Sequence, residues 1–292
     1  MPDGLEMTAA KGHAGKPRKG HLGLHFVRSP EGRSYIARQF SSYPFHICRP
    51  FYLDRGACAG MATLYKQSCS GGVYSCDRLT AEIVVGKNAQ AHVTSQSATI
   101  VHEATHGPAE QNFDIEARAG ALVEYLPETT ILFSGAHLKS RLALRLHETA
   151  GAILFDSFLG HDFRNDAAVF DRYENEIVVT GTDGVPLVID RFEVTGEGYR
   201  DNRLGQMAQN RCHGSVLVIA PGVDTDALID GARRALAAFP GIAAGVSALP
   251  GNRGFSVRIL SPDAVLMKKA MLAVWVLSRE AMAGAKPAPR RK

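Results

Sequence analysis

The chain has 292 residues, 45% of them hydrophobic and 21% charged, with a formal net charge of +4. That size supports one large domain or two modest ones with a full core. No run of eighteen apolar residues occurs, which argues against a membrane-spanning helix. The start holds Asp3 and Glu6 and has no apolar block, so it does not read as a secretion signal. A cytoplasmic protein is the expectation, with the loosely spaced Cys48, Cys58, Cys69, Cys76 and Cys212 kept as thiols.

Much of the positive charge lies at the ends. Lys11, Lys16, Arg18 and Lys19 sit in a Gly-rich head, and Lys286, Arg290, Arg291 and Lys292 in a Pro-Ala tail. Residues 1–20 are expected to form a disordered head and 284–292 a flexible basic tail, because neither can build a core. The body between them has no basic strip interleaved with aromatics, so nucleic acid is not an expected partner.

From residue 21 the sequence reads as strand after strand. His21–Arg28, Arg33–Phe40 and His46–Leu53 are short alternating or β-rich runs separated by Ser-Pro-Glu-Gly and Ser-Ser-Tyr-Pro turns. Runs at 60–66, 79–85, 89–94, 112–118, 121–126, 140–147 and 151–159 continue the pattern. Residues 174–180 and 186–194 predict a hairpin across Thr182-Asp183-Gly184. Helical spacing appears late, near 201–209, at 225–239 and at 263–280. The last of these has Ser261 as the expected N-cap and Pro262 at the first position. Residues 215–219 and 254–260 are strands between the helices. The expectation is a single domain over 21–283, all-β-dominated, with a small helical element near the C-terminus. No internal repeat stands out.

His102-Glu103-Ala104-Thr105-His106 spells H-E-x-x-H. On a helix capped by Ser97, His102 and His106 would share one face and could hold a zinc ion, with Glu103 as general base. That is the metallohydrolase alternative. The β-branched Thr99, Ile100, Val101 and Thr105 suit a strand equally well. In a strand the two imidazoles would stand about 13 Å apart, too far for one ion. No third ligand stands at a compelling spacing.

Several segments, taken in order, resemble the urease accessory protein D family (UreD, called UreH in some organisms). Gly71-Gly72-Val-Tyr-Ser-Cys-Asp77-Arg-Leu79 is similar to that family's Gly-Gly-…-Gly-Asp-x-Leu stretch. Val93-Thr-Ser-Gln96-Ser-Ala98-Thr99 is similar to its Thr-Thr-Gln-x-Ala-Thr-Lys. Leu122-Val-Glu124-Tyr-Leu126-Pro127 matches its Leu-Glu-Tyr-Leu-Pro signature, and Ile131–Ala136 continues it. Gly160–Asp166 with Phe170 stands at a Gly-Arg…Gly-Glu-x-Phe segment, and Trp275 to Arg279 looks like a Trp-x-x-x-Arg helix. The correspondence spans roughly residues 22–280. The departures are Cys76 for Gly, Ile100 for Lys, His161 for Arg and Asp166 for Glu. His102 falls where the family has Tyr in a β-rich region, which makes the H-E-x-x-H letters coincidental.

The resemblance implies a non-enzymatic scaffold with a wrapped, β-helix-like stack of strands. It implies a complex with apo-urease and accessory protein F, and through F with the GTPase accessory protein G. Nickel would be carried transiently through an internal passage, with no tightly bound cofactor. By position against the motifs, Asp77, Asp166 and Glu124 are the passage candidates, with packing or a cross-strand pair as the alternative for Glu124. Trp275 and Arg279 are the partner-facing candidates, on a helix that reads as either a core or a partner-facing element. Weak successive oxygen or imidazole sites suit transfer, since a full chelate would trap the ion. A divergent β-rich protein-binding module is the remaining alternative.

Overall fold

The computed structural model describes residues 17–161, 168–201 and 207–290. Between Ala62 and Thr180 the chain coils through four turns of a β-solenoid, alternating between two sheets. The first sheet stacks Arg78–Val85, Ala109–Ala117, His137–Leu146 and Arg172–Thr180 in parallel. The second stacks Ala62–Ser68, Gln90–Ser95, Leu122–Leu126 and Gly151–Gly160 in parallel. Short strands Thr99–Val101 and Thr130–Leu132 pair at a corner.

One corner repeats almost atom for atom. Ala89, Ala121 and Ala150 each donate a backbone hydrogen bond three residues back, to Gly86, Arg118 and His147. All three alanines are buried and follow a three-residue turn from the first sheet into the second. In the first two of these corners the residue before the alanine is left-handed, Asn88 (φ 57°) and Gly120 (φ 67°), which suits Asn and Gly. The registered partners Ala62, Ala91, Val123 and Ala152 show a period of 29, 32 and 29 residues. A repeat therefore exists, but its side chains vary, so it is absent from the letters.

Lys19–Arg28 continues the parallel stacking beside Arg78–Val85, and the other flanking strands run antiparallel to their neighbours. Lys19–Arg28 and Ser34–Ser41 extend the first sheet at one end and Pro186–Thr195 at the other, the last forming the expected hairpin with Arg172–Thr180. Cys212–Ile219, Gly254–Ser261 and Ala243–Ala248 extend the second sheet. Helices α1 (Gly196–Arg200), α2 (Thr225–Ala237) and α3 (Ala264–Ala283) follow the strands late in the chain.

The two sheets differ in what covers them. In the first, buried and half-buried residues alternate along Lys19–Arg28 and Arg172–Thr180, because one face meets water. Cys212–Ile219 is buried at every position. Its inner face meets the solenoid core, and its outer face meets a second apolar cluster with Leu228 and Leu236 of α2 and Met271 and Val274 of α3.

The ends of the chain depart from expectation. Arg18 and Lys19 belong to the folded body rather than to a loose head: Lys19 opens the first strand and Arg18 pairs with Asp77. The segment expected as a flexible tail is held at Ala288 and Arg290, both bound to Asp54. The N-cap of α3 is Asp263, whose carboxylate accepts from Leu266 N–H; Ser261 instead bonds Asp263, and Pro262 stays outside the helix. The helix expected near 201–209 falls largely outside the described residues, and Met207–Gln209 is a turn.

Candidate functional site

Polar groups gather on both faces of the second sheet. In Leu122–Leu126, alternation sends Val123 and Tyr125 into the solenoid core and Glu124 outward beneath α3. Its registered neighbour is His92, whose Nδ1 lies 2.7 Å from Glu124 Oε2. From the last turns of α3, Arg279 grips the same carboxylate through Nε and Nη2 and reaches Asp54 at 3.2 Å. Arg290 straddles Asp54 at 3.3 Å with two nitrogens, donates to His92 Nε2 at 3.2 Å, and lies over the Trp275 ring.

The protonation states close this cluster. Burial alone would raise the Glu124 carboxyl, but Arg279 and His92 outweigh it and hold it down at about 2. Asp54 follows the same logic: burial opposes ionisation, and the Ala288 N–H, Arg290 and Arg279 overcome it. Burial lowers the His92 pKa despite the Glu124 hydrogen bond. A neutral imidazole with its proton on Nδ1 donates to Glu124 and accepts from Arg290, satisfying both ring nitrogens. Two buried carboxylates thus face two guanidinium groups. The arrangement is a clasp that ties α3 and the C-terminal segment to the solenoid.

Inside the solenoid the polar groups form a row along the axis. Gln111, Ser140 and Asn175 are registered neighbours on three successive strands of the first sheet. Opposite them, Lys66 registers with Ser95, and Asp156 with Ser215. A cavity of about 150 Å³ is lined by Lys66, Ser95, Thr99 and Gln111, among others. A second, of about 50 Å³, is lined by Lys66, Gln111, Ser140, Asp156, Tyr173 and Asn175, among others. The two share Lys66, Thr99 and Gln111, so they lie in tandem.

Asp156 is only half satisfied. Its Oδ1 accepts from the Tyr173 hydroxyl across the gap between sheets at 3.1 Å, while Oδ2 is buried without a partner. Burial pushes its carboxyl up to about 6, against the hydrogen bond from Tyr173. At the far end Arg258 pairs with Asp190.

The sequence candidates are scattered. Asp77 is buried, accepts from Tyr74 N–H at 2.8 Å and is bound by Arg18, so it closes the Tyr74–Asp77 turn. Asp166 lies outside the described residues. Glu124 forms the cross-strand pair and the clasp. Trp275 and Arg279 do not form an outward, partner-facing surface: Arg279 is 0% and Trp275 4% exposed, because the clasp draws the helix face inward. Their burial agrees with the core alternative for this helix, and the acids that pair with Arg279 come from distant segments.

The zinc reading fails on geometry. Thr99–Val101 is a strand, and Glu103 makes an isolated antiparallel bridge to Ala136. His102 stacks on Tyr74 at 4.3 Å and lies 3.1 Å from the Gly71 carbonyl. His106 is exposed, and its backbone N–H binds Ser75. Among the described residues no three His, Cys, Asp or Glu side chains gather as a metal site. The five cysteines are free.

Asp54, Lys66, Asp156 and Arg290 escaped the sequence reading. Asp156 did leave a trace. It interrupts the apolar run 151–159 at a position sharing a face with Leu154 and Phe158.

Comparison with known proteins settles the relationship. The family model described as "UreD urease accessory protein" matches residues 18–292. The chain belongs to the UreD family. Urease accessory protein UreD 1 of Pseudomonas syringae pv. tomato (strain ATCC BAA-871 / DC3000) is 34% identical over 275 residues, covering 94% of this chain and 96% of that protein. UreD 1 of Methylorubrum extorquens (strain PA1) is 34% identical over 297 residues, covering 99% and 98%. UreD 3 of Bradyrhizobium sp. (strain ORS 278) is 31% identical over 261 residues, covering 89% and 91%. Membership assigns the chain a UreD-type accessory role in urease maturation. Two of the segments that carried the resemblance, around Glu124 and from Trp275 to Arg279, meet in the clasp although Glu124 and Arg279 stand 155 positions apart. Among the described residues no helix is long and apolar enough to cross a membrane.

Proposed function

We propose that this chain works as a non-catalytic scaffold that helps deliver nickel to apo-urease, in a complex with accessory protein F and, through it, the GTPase accessory protein G. We place the route of the ion along the axial row between the sheets. The supporting observation is the pair of tandem cavities lined by Gln111, Ser140, Asn175 and Asp156. Neutral oxygens and one incompletely satisfied carboxylate offer a divalent ion weak ligands, which suits transfer better than a chelate. The ion is cargo and no resident cofactor is needed. Asp77 and Glu124 are engaged by arginines, so in this reading they hold the walls, while Asp156 takes the role of an ion station.

The test is urease activation in cells carrying Asp156→Asn, with binding of accessory protein F and apo-urease measured separately. Loss of activation with both partners still bound is the expected result. Full activation by the variant would remove Asp156 from the route, and failure of the native chain to bind either partner would remove the scaffold.

A further inference from the structure

Lys66 has a setting that ion delivery does not explain. Alternation places it on the inward side of Ala62–Ser68 with Ala62 and Leu64, and its Nζ lies over the rings of Phe113 (4.5 Å) and Phe45 (5.5 Å). No carboxylate pairs with it among the described residues. Glu128, which lines the neighbouring smaller cavity, reaches Lys268 at 2.7 Å. Burial alone acts on the Lys66 amine, lowering it to about 8. A lysine kept half-buried without an acid is costly unless something else satisfies its ammonium.

The space beside it is suited to that task. The cavity of about 150 Å³ has room for several water-sized groups and is lined by Ser70, Ser95, Gln96, Thr99 and Gln111, among others. Ser95 Oγ accepts from Glu128 N–H, leaving its hydroxyl proton to donate. The Gln96, Thr99 and Gln111 side chains make no hydrogen bond to the described protein groups and add neutral donors. Ser68, Gln96 and Ser97 at the rim are exposed, which gives solutes a way in. A single cation matches a single negative charge. A dianion would leave a second charge uncompensated, and an apolar ligand would strand the ammonium.

We propose that the Lys66 cavity is a binding site for a small singly charged oxyanion of the carboxylate type, formate and bicarbonate being of the right size and charge. The ammonium supplies the charge, and Ser95, Thr99 and Gln111 supply hydrogen bonds to the oxygens. This site stands without the nickel reading, because it requires only the cavity and its donors. If both hold, an anion beside Lys66 neutralises a fixed positive charge on the route of the ion.

The experiment is calorimetric titration of the full-length chain with sodium formate and, separately, sodium bicarbonate at constant chloride and neutral pH. Saturable one-to-one binding of at least one anion is expected, weakened about tenfold or more in Lys66→Met and about threefold in Gln111→Leu. Absence of saturable binding of both anions overturns the proposal, as does unchanged affinity in a Lys66→Met protein that melts like the native one. If Lys66→Met does not fold, the rate of Lys66 acetylation by acetic anhydride in the native chain replaces it, read by peptide mass. Slowing by formate supports the site, and an unchanged rate overturns it. Because urease is absent from these assays, their outcome is separate from that of the activation test.

Discussion

On the outer face of the second sheet, Glu124 and Asp54 are gripped by Arg279 and Arg290, and His92 is satisfied at both nitrogens. On its inner face, a few strands away, Asp156 keeps one oxygen without a partner and Lys66 has no acid. Both regions are polar and set into the body of the protein, and the Lys66 cavity opens at its rim. In the clasp each charge meets its opposite, so the group is inert and holds elements together. In the axial row charges and dipoles are left incompletely matched, which destabilises the empty fold slightly and leaves groups free for a passing or binding solute. Paired buried charge holds the structure here, and the incompletely paired groups are the ones we propose to act on a solute.

Breaking the clasp should cost the most. Arg279→Met leaves Glu124 buried without a cation and is expected to lower unfolding free energy by about 3–5 kcal/mol in urea titration. Adding Glu124→Gln to it should recover part of that loss, since the double variant buries less unmatched charge. Two independent, additive losses would mean the pair is not coupled.

The axial carboxylate should behave with the opposite sign. Asp156→Asn removes an unpaired buried acid and is expected to raise stability by about 1 kcal/mol at neutral pH, while impairing urease activation. A comparable loss of stability would place Asp156 among the structural groups.

Acid titration separates the two regions further. The folded-state pKa of Glu124 is depressed, so its contribution is complete above about 4.5 and is lost as pH falls toward about 2. Asp156 is raised, so its protonated form favours the fold below about 3.8, and that advantage disappears as pH rises through about 6. His213, lowered to about 4 by burial, works against Asp156 in the same window, so the measurement is the difference between native and Asp156→Asn melting temperatures across pH 3–7. A constant difference would contradict the raised carboxyl.

Smaller effects come from the periphery of the clasp. Arg290→Ala removes two contacts to Asp54 and one to His92 and is expected to cost about 1–2 kcal/mol. His106→Ala should change stability by less than about 0.5 kcal/mol and leave the metal content of the purified chain unchanged. Stoichiometric zinc lost on that substitution would restore the hydrolase alternative.

Much of this arrangement was written in local letters. Alternation marked the strands, Asp183-Gly184 the hairpin turn, and apolar spacing the second helix. The ordered motifs carried the family, and Glu124 was noted as a possible cross-strand partner. His92 proves to be that partner because the period of the solenoid brings position 92 against 124. The corner alanines at 89, 121 and 150 were legible as residues but not as a repeat, since backbone bonding maintains the stack while neighbouring side chains vary.

By itself, then, the sequence determined strand content, late helices and family, since these rest on periodicity and short motifs acting over a few residues. Only the tertiary structure decided that the strands pair in parallel over about thirty positions, that Arg279 points inward, and that Asp156 and Lys66 share one axis. The reason is that burial and charge pairing depend on which distant segment lies opposite, and closure of the solenoid sets that partner.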